Sequence, residues 1–434
     1  MIKSDIIIIG AGPGGYEMAA EAAAGGLSVI IIEKGELGGT CLNRGCIPTK
    51  ALCRSAEVAL TVKDAATFGV NVSGYTLDYA AAVARKNSIV EQLRSGIEML
   101  LGKCLVVKGI ARFIAKDTIE CNGEQYTAPK IVIATGSKPS RLPIPGAELA
   151  IDSDTLLNMS ELPARICIIG GGVIGMEFAS ILNAFGVEVT VIEYFKEILP
   201  QFDKDIAKRL KMQLSRRGVN IITSAAVTGI TPGMSVTYEA KGKTLSLETD
   251  CVLMAVGRQP VVPDGAQEVG IEVDKRRIVV DDDFKTTVDG VYAIGDVNGR
   301  CMLAHVATAQ GLKVLGKDVN MDIVPSAVFT SPECAMVGFT EEQCKDKGLE
   351  IKTVKALFRA NGKALALGET EGLVKMISEA ETGKVLGCHI CGPHASDIIT
   401  EVALVMSKSL TIKDIAATIH SHPTLSEVIS QAAR

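Results

Sequence analysis

Two copies of one glycine pattern constrain the fold of this chain more than any other feature of its sequence. The first copy, DIIIIGAGPGG, is an apolar strand-like run followed by Gly10, Gly12 and Gly15 and then by an alanine-rich helix. A G-x-G-x-x-G turn between a strand and a helix is typical of a dinucleotide pyrophosphate site. The next strand, LSVIIIE, ends at Glu33, whose carboxylate can accept hydrogen bonds from a ribose. The alternative is a glycine-rich turn that binds no ligand.

The second copy, RICIIGGGVIG, places Gly170, Gly172 and Gly175 at the same mutual spacing, 160 residues further on. Its following strand, VEVTVIE, ends at Glu193, which lies eighteen residues after the third glycine, as Glu33 does in the first copy. Two such patterns predict two separate dinucleotide sites on two Rossmann-like, doubly wound parallel sheets. The acidic Glu193 favours the free 2′-hydroxyl of NAD over the phosphate of NADP.

The remaining segments divide the chain into four predicted parts. A proline-rich linker follows KIVIATGSKP, and a third apolar strand, GVYAIGDV, ends at Asp296. After Pro325, strands and helices follow one another in α+β order. We therefore predict an α/β fold in three layers with an α+β C-terminal domain. Its parts are 1–140 (first dinucleotide domain with the cysteine segment described below), 141–259 (second dinucleotide domain), 260–325 (a return to the first domain) and 326–434 (C-terminal domain).

Composition narrows the class of protein. A net charge of −5 and a pI near 5.7 argue against a nucleic-acid partner. No apolar run approaches the roughly 18 residues of a membrane span, and a strand-like run from Asp5 leaves no room for a signal peptide. The 12 cysteines follow no framework of spacings, so we expect a reducing cytoplasm in which most thiols, such as Cys167 and Cys251, lie in the core.

The segment GGTCLNRGCIPTK, residues 38–50, carries two of these cysteines, Cys41 and Cys46. An undistorted helix would separate their Cα atoms by about 8.6 Å, whereas a disulfide needs roughly 4.4–6.8 Å. If the two thiols bond, the turn between them must be bent, and Gly45 and Pro48 permit or impose such bends. The alternative is two unrelated cysteines at the start of a helix.

Two further clusters leave alternatives open. In HSHPTLSE, Glu427 either forms a capping box with Thr424 or orients His422 as a base. Cys388 and Cys391 resemble a metal-binding C-x-x-C, but in a strand they would point to opposite faces, and no second pair completes a site. We therefore expect no metal.

These motifs together resemble the flavin disulfide oxidoreductases (class I pyridine nucleotide-disulfide oxidoreductases), and within them the dihydrolipoamide dehydrogenases. The resemblance runs from the first strand to the C-terminus through the redox segment, ATGS, YAIGDV, SPECAMVGFTEEQ and HSHPTLSE. Glutathione reductases share the plan, but they usually have lysine in place of Thr49 and prefer NADP. Mercuric reductases usually carry a terminal cysteine pair, which does not follow Ala433 here.

The resemblance implies tightly bound FAD, NAD as acceptor and a redox-active Cys41–Cys46 disulfide, with Cys46 over the flavin and Cys41 facing the substrate. It implies that Lys50 lies near the flavin and pairs with Glu177, and that His422 and Glu427 act from the second subunit of a homodimer. The implied FAD residues are Gly10, Gly12, Gly15, Glu33, Lys34, Gly39, Thr40, Lys50, Ala111, Thr135, Gly136, Asp296, Ala304 and His305. The implied NAD residues are Gly170, Gly172, Gly175, Glu193, Val227 and Gly257.

The implied reaction is oxidation of a dihydrolipoyl group on a separate carrier protein of a 2-oxo acid dehydrogenase complex or glycine cleavage system. The alternative enzyme is an NAD(P)-linked, glutathione-reductase-like enzyme for a small disulfide. A purely structural flavoprotein would not need Cys41, Cys46 and His422 together. Arg44 stands where many family members have valine, and it either faces the sulfurs or points to solvent. The chain also ends sooner after Glu427 than is usual, which predicts fewer dimer contacts.

Overall fold

The computed structural model describes residues 1–434. Its strands, in chain order, are β1 (Ile2–Lys3), β2 (Ile6–Ile9), β3 (Val29–Glu33), β4 (Leu105–Lys108), β5 (Arg112–Ala115), β6 (Thr118–Cys121), β7 (Glu124–Thr127), β8 (Lys130–Ile133), β9 (Ser137–Pro139), β10 (Arg165–Ile169), β11 (Glu188–Ile192), β12 (Asn220–Ile222), β13 (Ala225–Ile230), β14 (Ser235–Ala240), β15 (Lys243–Glu248), β16 (Cys251–Met254), β17 (Arg258–Pro260), β18 (Val273–Asp274), β19 (Arg277–Ile278), β20 (Val291–Ala293), β21 (Ser326–Val328), β22 (Glu333–Gly338), β23 (Ile351–Leu357), β24 (Leu373–Glu379) and β25 (Val385–Gly392).

The α-helices are α1 (Pro13–Ala24), α2 (Gly39–Arg44), α3 (Cys46–Lys63), α4 (Tyr79–Leu100), α5 (Ser153–Leu156), α6 (Val173–Ala184), α7 (Lys204–Arg216), α8 (Ala304–Val314), α9 (Glu341–Asp346), α10 (Gly362–Leu367), α11 (Ala395–Ser407), α12 (Ile412–Ala417) and α13 (Glu427–Ala432). Short 3-10 helices cover Ala65–Phe68, Ala147–Leu149, Gly295–Asn298 and Phe358–Ala360. None of the helices is both long and apolar enough to cross a membrane.

Unit 1 comprises residues 1–51, 81–140 and 257–321. It is built on a five-stranded parallel sheet of order β20-β8-β2-β3-β4. Successive side chains of β2 pack on opposite faces: Ile7 and Ile9 join one core cluster, and Ile6 and Ile8 join the other. This double burial explains why β2 is a continuous apolar run, as expected for a parallel strand covered on both faces.

Unit 2 comprises residues 52–80, 141–256 and 322–434. One sheet is parallel, with the order β12-β11-β10-β16. A three-stranded antiparallel sheet, β13-β14-β15, lies in the chain between β12 and β16 of the parallel sheet. The C-terminal sheet is antiparallel, with the order β21-β22-β25-β24-β23, and its core cluster includes buried residues of α11 and α13.

The structure confirms the predicted α/β class with two parallel sheets and an α+β C-terminal region, whereas the four-part division of the chain stays a prediction. The segment KDTIECNGEQY, residues 116–126, follows β5 in the chain. It forms the hairpin of β6 and β7, closed by Asn122 and Gly123, which both adopt positive φ. An Asn-Gly pair is a strong signal for such a turn because it tolerates this conformation.

The cysteine expectations are partly met. Cys167 is fully buried, whereas Cys251 is only half-buried. Cys388 and Cys391 lie on β25 as free thiols. On the neighbouring strand β22, Cys388 is paired with Val337 and Cys391 with Cys334.

Candidate functional site

The first glycine turn follows β2 and begins α1. A Cβ atom on Gly15 would lie 1.9 Å from the Gly10 carbonyl oxygen, so the helix can approach the turn only with glycine there. Gly10 has a φ of 105° and closely approaches the Ala134 carbonyl oxygen. Gly12 has open space where a side chain would stand. The turn therefore combines close backbone packing with one exposed stretch of backbone, as a pyrophosphate requires.

Glu33 is fixed by the same turn. Its Oε2 accepts a hydrogen bond from Ala11 N at 2.7 Å, and its Oε1 accepts one from Gly35 N at 2.7 Å. The cysteine segment begins directly over this turn: Gly38 N donates to Ala11 O at 2.8 Å, and a Cβ on Gly39 would lie 2.6 Å from Gly12 Cα. The structure therefore places Gly39 directly against the first glycine turn.

The predicted bend between the cysteines is present at Gly45. Helix α2 ends at Arg44, Gly45 has φ −144° and ψ −111°, and α3 begins at Cys46. The Gly45 carbonyl oxygen accepts hydrogen bonds from both Thr49 N, at 3.2 Å, and Thr49 Oγ1, at 2.6 Å. The short helix α2 and the longer helix α3 thus replace the single straight helix that would hold the sulfurs apart.

Both cysteines are thiols in this structure, with Cys46 exposed and Cys41 half-buried. The hydrogen bond between the two side chains raises the pKa of the Cys41 thiol, and burial raises it further, while the positive charge of Lys50 opposes both effects. Lys50 lies one helical turn after Cys46 on α3, the spacing at which side chains share a face. Arg44 is exposed, and its Nη2 lies beside Gly35, 3.7 Å from where a Cβ of Gly35 would stand.

The other predicted FAD residues lie at the ends of unit 1 elements. Ala111 is buried just before β5, Thr135 and Gly136 follow β8, and Ala304 and His305 open α8. Lys34 is exposed directly after Glu33, and Thr40 lies in the first turn of α2.

Asp296 lies in the 3-10 helix after β20, and it accepts a hydrogen bond from Ser137 Oγ. Arg258 donates from Nε to Ser137 Oγ at 2.7 Å and from Nη2 to Ser137 O at 2.8 Å. Sequence reasoning missed Ser137 and Arg258, although both follow the carboxyl ends of parallel strands, where α/β sites form.

The second glycine turn, in unit 2, repeats this geometry. A Cβ on Gly175 would lie 2.0 Å from the Gly170 carbonyl oxygen, and Gly172 again has open space. Glu193 is 5% exposed, and its carboxylate accepts hydrogen bonds from Gly171 N and, at 2.7 Å, from Phe195 N. Tyr194 and Phe195, which follow it, are exposed and contact each other edge to face.

Three more predicted residues take separate positions. Glu177 on α6 is 4% exposed, and its Oε1 accepts a hydrogen bond from Phe329 N at 2.9 Å. Such burial is unusual for an ordinary polar helix residue. Val227 lies on β13, half-buried against the core of its unit. Gly257 follows β16 and begins the last segment of unit 1.

His422 and Glu427 form a pair in the C-terminal region of unit 2. His422 Nδ1 lies 2.9 Å from Glu427 Oε1, while Glu427 Oε2 accepts a hydrogen bond from Thr424 N at 2.9 Å. Both sequence interpretations of Glu427 therefore describe real contacts. The capping box is only half formed, because the Thr424 hydroxyl donates to Ser421 O instead.

Two hydrogen bonds, one from a backbone N–H and one with a side chain, favour the charged form of the Glu427 carboxyl. The hydrogen bond from Thr424 N, followed by that with His422, lowers the pKa of the Glu427 carboxyl. His420 is engaged differently: its Nδ1 lies 3.1 Å from Thr418 O and its Nε2 lies 3.0 Å from Glu401 Oε1. With a side chain 78% exposed and one ring nitrogen on Glu427, His422 is the accessible histidine of the two.

The two turns fit two dinucleotides. Each presents an open glycine backbone before a helix of 12 residues, whose first N–H groups favour a bound anion. Each also holds a carboxylate in place beside the turn through two backbone N–H groups.

Comparisons with known proteins agree with this arrangement. The pyridine nucleotide-disulphide oxidoreductase family matches residues 4–311, and the dimerisation domain of that family matches residues 324–433. The chain is 40% identical to the dihydrolipoyl dehydrogenase of Geobacillus stearothermophilus, covering 100% of this chain and 96% of that protein. It is likewise 40% identical to a dihydrolipoyl dehydrogenase of Bacillus subtilis (strain 168), with coverages of 99% and 97%.

Among solved structures, the HOCl-induced flavoprotein disulfide reductase RclA from Escherichia coli, in its Cu(II) complex, is similar with a TM-score of 0.89 and 32% identity. The match covers 100% of this chain and 99% of RclA. The dimerisation domain indicates a homodimer. The chain therefore belongs to the pyridine nucleotide-disulphide oxidoreductase family, and it is an oxidoreductase that uses FAD and NAD(H).

Proposed function

We propose that this chain is a dihydrolipoyl dehydrogenase, which oxidises the dihydrolipoyl group of a carrier protein and reduces NAD⁺. The observation that carries the proposal is the pair of hydrogen-bonded thiols, Cys41 and Cys46, on either side of the break at Gly45. The two relatives described above, 40% identical over almost their whole length, support the same activity.

The base in this proposal is His422. With Nδ1–H donated to the ionised Glu427, the ring presents Nε2 as the proton acceptor, and Glu427 stabilises the imidazolium that forms. A dihydrolipoyl thiol needs such a base because a free thiol is only a few per cent thiolate at neutral pH.

The sulfur chemistry then follows from the cysteine pair in its disulfide form. His422 takes a proton from one dihydrolipoyl thiol, and the thiolate attacks Cys41, which expels Cys46 as a thiolate. The second dihydrolipoyl sulfur displaces Cys41, which keeps the remaining proton, and the lipoyl disulfide leaves. Cys41 then loses its proton and the Cys41–Cys46 bond re-forms, which releases one electron pair. FAD, when bound, would supply the chemistry that takes up this pair from the side of Cys46 and passes it to NAD⁺ as a hydride.

The remaining roles belong to the same proposal. Lys50 and Glu177 each have a catalytic role in this proposal, and the His422–Glu427 pair serves the redox centre of the second subunit. The dihydrolipoyl group arrives on a carrier of a 2-oxo acid dehydrogenase complex or glycine cleavage system, in the cytoplasm. Support for this compartment comes from the 12 free cysteines, since disulfide frameworks belong to oxidising compartments.

The direct test is an activity comparison on the purified holoprotein. Reduction of NAD⁺ by dihydrolipoamide is measured against oxidation of NADPH by glutathione disulfide. We expect the first reaction to be faster by orders of magnitude. The reverse ranking would reject the proposal.

Cys46→Ser tests the thiol assignment. The variant is expected to retain FAD and to lose dihydrolipoamide-driven NAD⁺ reduction, because no disulfide can form. Cys104→Ser is the matched control, since Cys104 is a half-buried unit 1 thiol that donates to Ala19 O at 3.6 Å, a bond serine can replace. Activity that persists in Cys46→Ser would contradict the assignment.

A second candidate is an NAD(P)H-linked reductase of a small disulfide. The similarity to RclA, named as a flavoprotein disulfide reductase, favours it. It would use the same cysteines in the opposite direction, so the activity comparison above distinguishes the two functions.

A further inference from the structure

We propose that Ser137 and Arg258 are positioning residues of the FAD site, which fix the Asp296 carboxylate and connect it to the first turn of the cysteine segment. The inference rests on the proposed function only in taking Asp296 as an FAD-binding residue, which the family resemblance implies through the FAD ribityl chain. All four residues concerned, including Thr40 on α2, lie in unit 1.

The hydrogen bonds run in one direction. Arg258 has only donors, so its Nε–H points at Ser137 Oγ, and the single hydroxyl proton of Ser137 is left for Asp296 Oδ2. Asp296 is thereby engaged on one oxygen, and a carboxylate with about four lone-pair positions retains acceptor sites for hydroxyl groups of a ligand. Ser137 alone could rotate its hydroxyl elsewhere, and Arg258 prevents this.

The planar fork of Arg258 makes the arrangement specific. Nε and Nη2 bond the side-chain and backbone oxygens of the same residue, Ser137, at 2.7 and 2.8 Å. The ammonium of lysine cannot reproduce two parallel N–H bonds. Strand pairing holds the fork in place, because β17 pairs with β9 and sets Pro260 opposite Ser137.

The neighbours of Asp296 in its 3-10 helix are also held in place by hydrogen bonds. Gln310 is 1% exposed, and its Oε1 accepts hydrogen bonds from Gly295 N at 2.7 Å and Asn298 Nδ2 at 2.9 Å. Residues on both sides of Asp296 are therefore tied to α8, Gly295 through its backbone N–H and Asn298 through its side chain. The carboxylate direction then depends on the Ser137 hydroxyl.

The connection to the cysteine segment is a weaker contact. Arg258 Nη2 lies 3.5 Å from Thr40 Oγ1, and Thr40 immediately precedes Cys41. One guanidinium thus touches both the residue that orients Asp296 and the residue beside the substrate-facing cysteine. This contact predicts a small energetic coupling and the Ser137 contact a large one.

The experiment measures the dissociation constant of FAD by flavin fluorescence as the holoprotein releases it on dilution, with NADH affinity as a check on unit 2. Ser137→Ala removes a donor to an ionised carboxylate, and we expect FAD to bind about tenfold or more weakly. Ser137→Thr keeps the hydroxyl and is expected to restore affinity to within about twofold. Arg258→Lys should resemble Ser137→Ala despite keeping its charge.

Double-mutant cycles test the connections themselves. Ser137→Ala combined with Arg258→Lys should cost little more than either change alone, because both break one chain of hydrogen bonds. Thr40→Val combined with Arg258→Lys should be nearly additive, as a 3.5 Å contact implies. Equal FAD affinity in Arg258→Lys, Ser137→Ala and wild type would overturn the proposal, as would full additivity of the Ser137 cycle.

The outcomes separate this inference from the proposed function. A wild-type protein that retains FAD but fails the dihydrolipoamide assay contradicts only the proposed function. If Ser137→Ala is not recovered folded, Ser137→Thr and Arg258→Lys carry the test, and weak FAD binding by both variants would overturn the special role of the hydroxyl.

Discussion

The two glycine turns have nearly the same backbone, although we propose that they bind different nucleotides. The φ angles of Gly10 and Gly170 are 105° and 109°, and a Cβ on either would collide with a carbonyl oxygen, at 2.4 Å and 2.5 Å. Each following acid accepts two backbone N–H bonds, from Ala11 and Gly35 for Glu33. Backbone contact, rather than side-chain identity, therefore defines the shared turn.

The turns differ in how the chain returns over them. In unit 1, Gly38 donates to Ala11 O at 2.8 Å with a φ of 92°, and α2 begins at the next residue. In unit 2, Leu199 makes the equivalent bond to Gly171 O at 2.9 Å with a φ of 47°, and the next helix, α7, begins only at Lys204.

The reason is visible at Gly38, where a Cβ would lie 2.4 Å from the Leu42 side chain. Glycine at this position lets a helix begin immediately over the nucleotide turn, and that helix carries Cys41. Leu199 instead buries its side chain, with 2% exposed, and accepts a left-handed conformation that is costly for leucine. The comparison shows how one turn is followed at once by the helix that carries Cys41, while its copy is not.

The largest effects are expected from Gly15→Ala and Gly175→Ala, which break one turn at a time. The new Cβ would stand 1.9 Å or 2.0 Å from a carbonyl oxygen, so the helix must move away from its turn. Gly15→Ala should lose FAD, whereas Gly175→Ala should keep FAD and lose NADH affinity. Flavin absorbance and NADH fluorescence titration measure the two sites separately.

Gly12→Ala and Gly172→Ala are the matched controls, because no atom lies within 4 Å of either new Cβ. They should leave the fold unchanged by circular dichroism and yet weaken binding of the same nucleotide, since the methyl group stands where the pyrophosphate approaches. Unchanged nucleotide affinity in all four variants would refute the assignment of the turns.

Lys375→Met is expected to have the next largest effect, on the stability of unit 2. The ammonium is 3% exposed and bonds Asp203, which caps α7 after the second turn, at 3.0 and 2.9 Å, and also Glu341 at 2.7 Å. Removing one partner of a buried pair leaves an uncompensated charge and costs roughly 3–5 kcal/mol.

Chemical denaturation followed by circular dichroism measures this loss. Lys355→Met is the control, because Lys355 is 48% exposed and pairs with Asp205 at 2.8 Å, a surface contact worth at most about 1 kcal/mol. Equal destabilisation by the two variants would show that burial is not the cause.

Glu33→Gln and Glu193→Gln compare the two glycine turns through a smaller expected loss of nucleotide affinity. Each replacement keeps the shape but removes the charge that two backbone N–H groups stabilise, and such bonds contribute about 1.5–3 kcal/mol. We expect FAD affinity to fall about tenfold or more in Glu33→Gln and NADH affinity to fall similarly in Glu193→Gln. Each variant is the control of the other, and a loss of the opposite nucleotide would contradict separate sites.

Much of the site was readable from the sequence because its chemistry lies in local patterns. The strand–glycine–helix spacing predicted both turns, and helix geometry predicted the bend that occurs at Gly45. The paired contacts of Glu427 were also anticipated, but only as alternatives, since a pattern cannot show that one carboxylate serves both His422 and Thr424.

Contacts between segments that are distant in the chain could not be predicted from the sequence. Ser137, Arg258 and Asp296 come from three separate stretches, and β9–β17 pairing brings the first two together. Lys375 likewise lies in an apolar strand run, where its partner Asp203 is 172 positions away. Single residues of common type carry no periodicity, so only the tertiary structure reveals such partners.

The smallest expected effect is a pH dependence confined to unit 2. Burial alone would raise the pKa of Asp205, but hydrogen bonds from Lys355 and Lys375 outweigh it and lower this pKa to about 2. Because the folded carboxyl binds its proton less readily than the unfolded one, its contribution to stability is complete above about pH 4 and is lost as the pH falls towards 2. Asp205 is 34% exposed, so solvent screening limits the contribution.

Asp205→Asn should therefore lower the Tm slightly at pH 7, and the difference from wild type should shrink between pH 4 and pH 2. A difference that stays constant over this range would mean that the charge of Asp205 does not stabilise the first turn of α7.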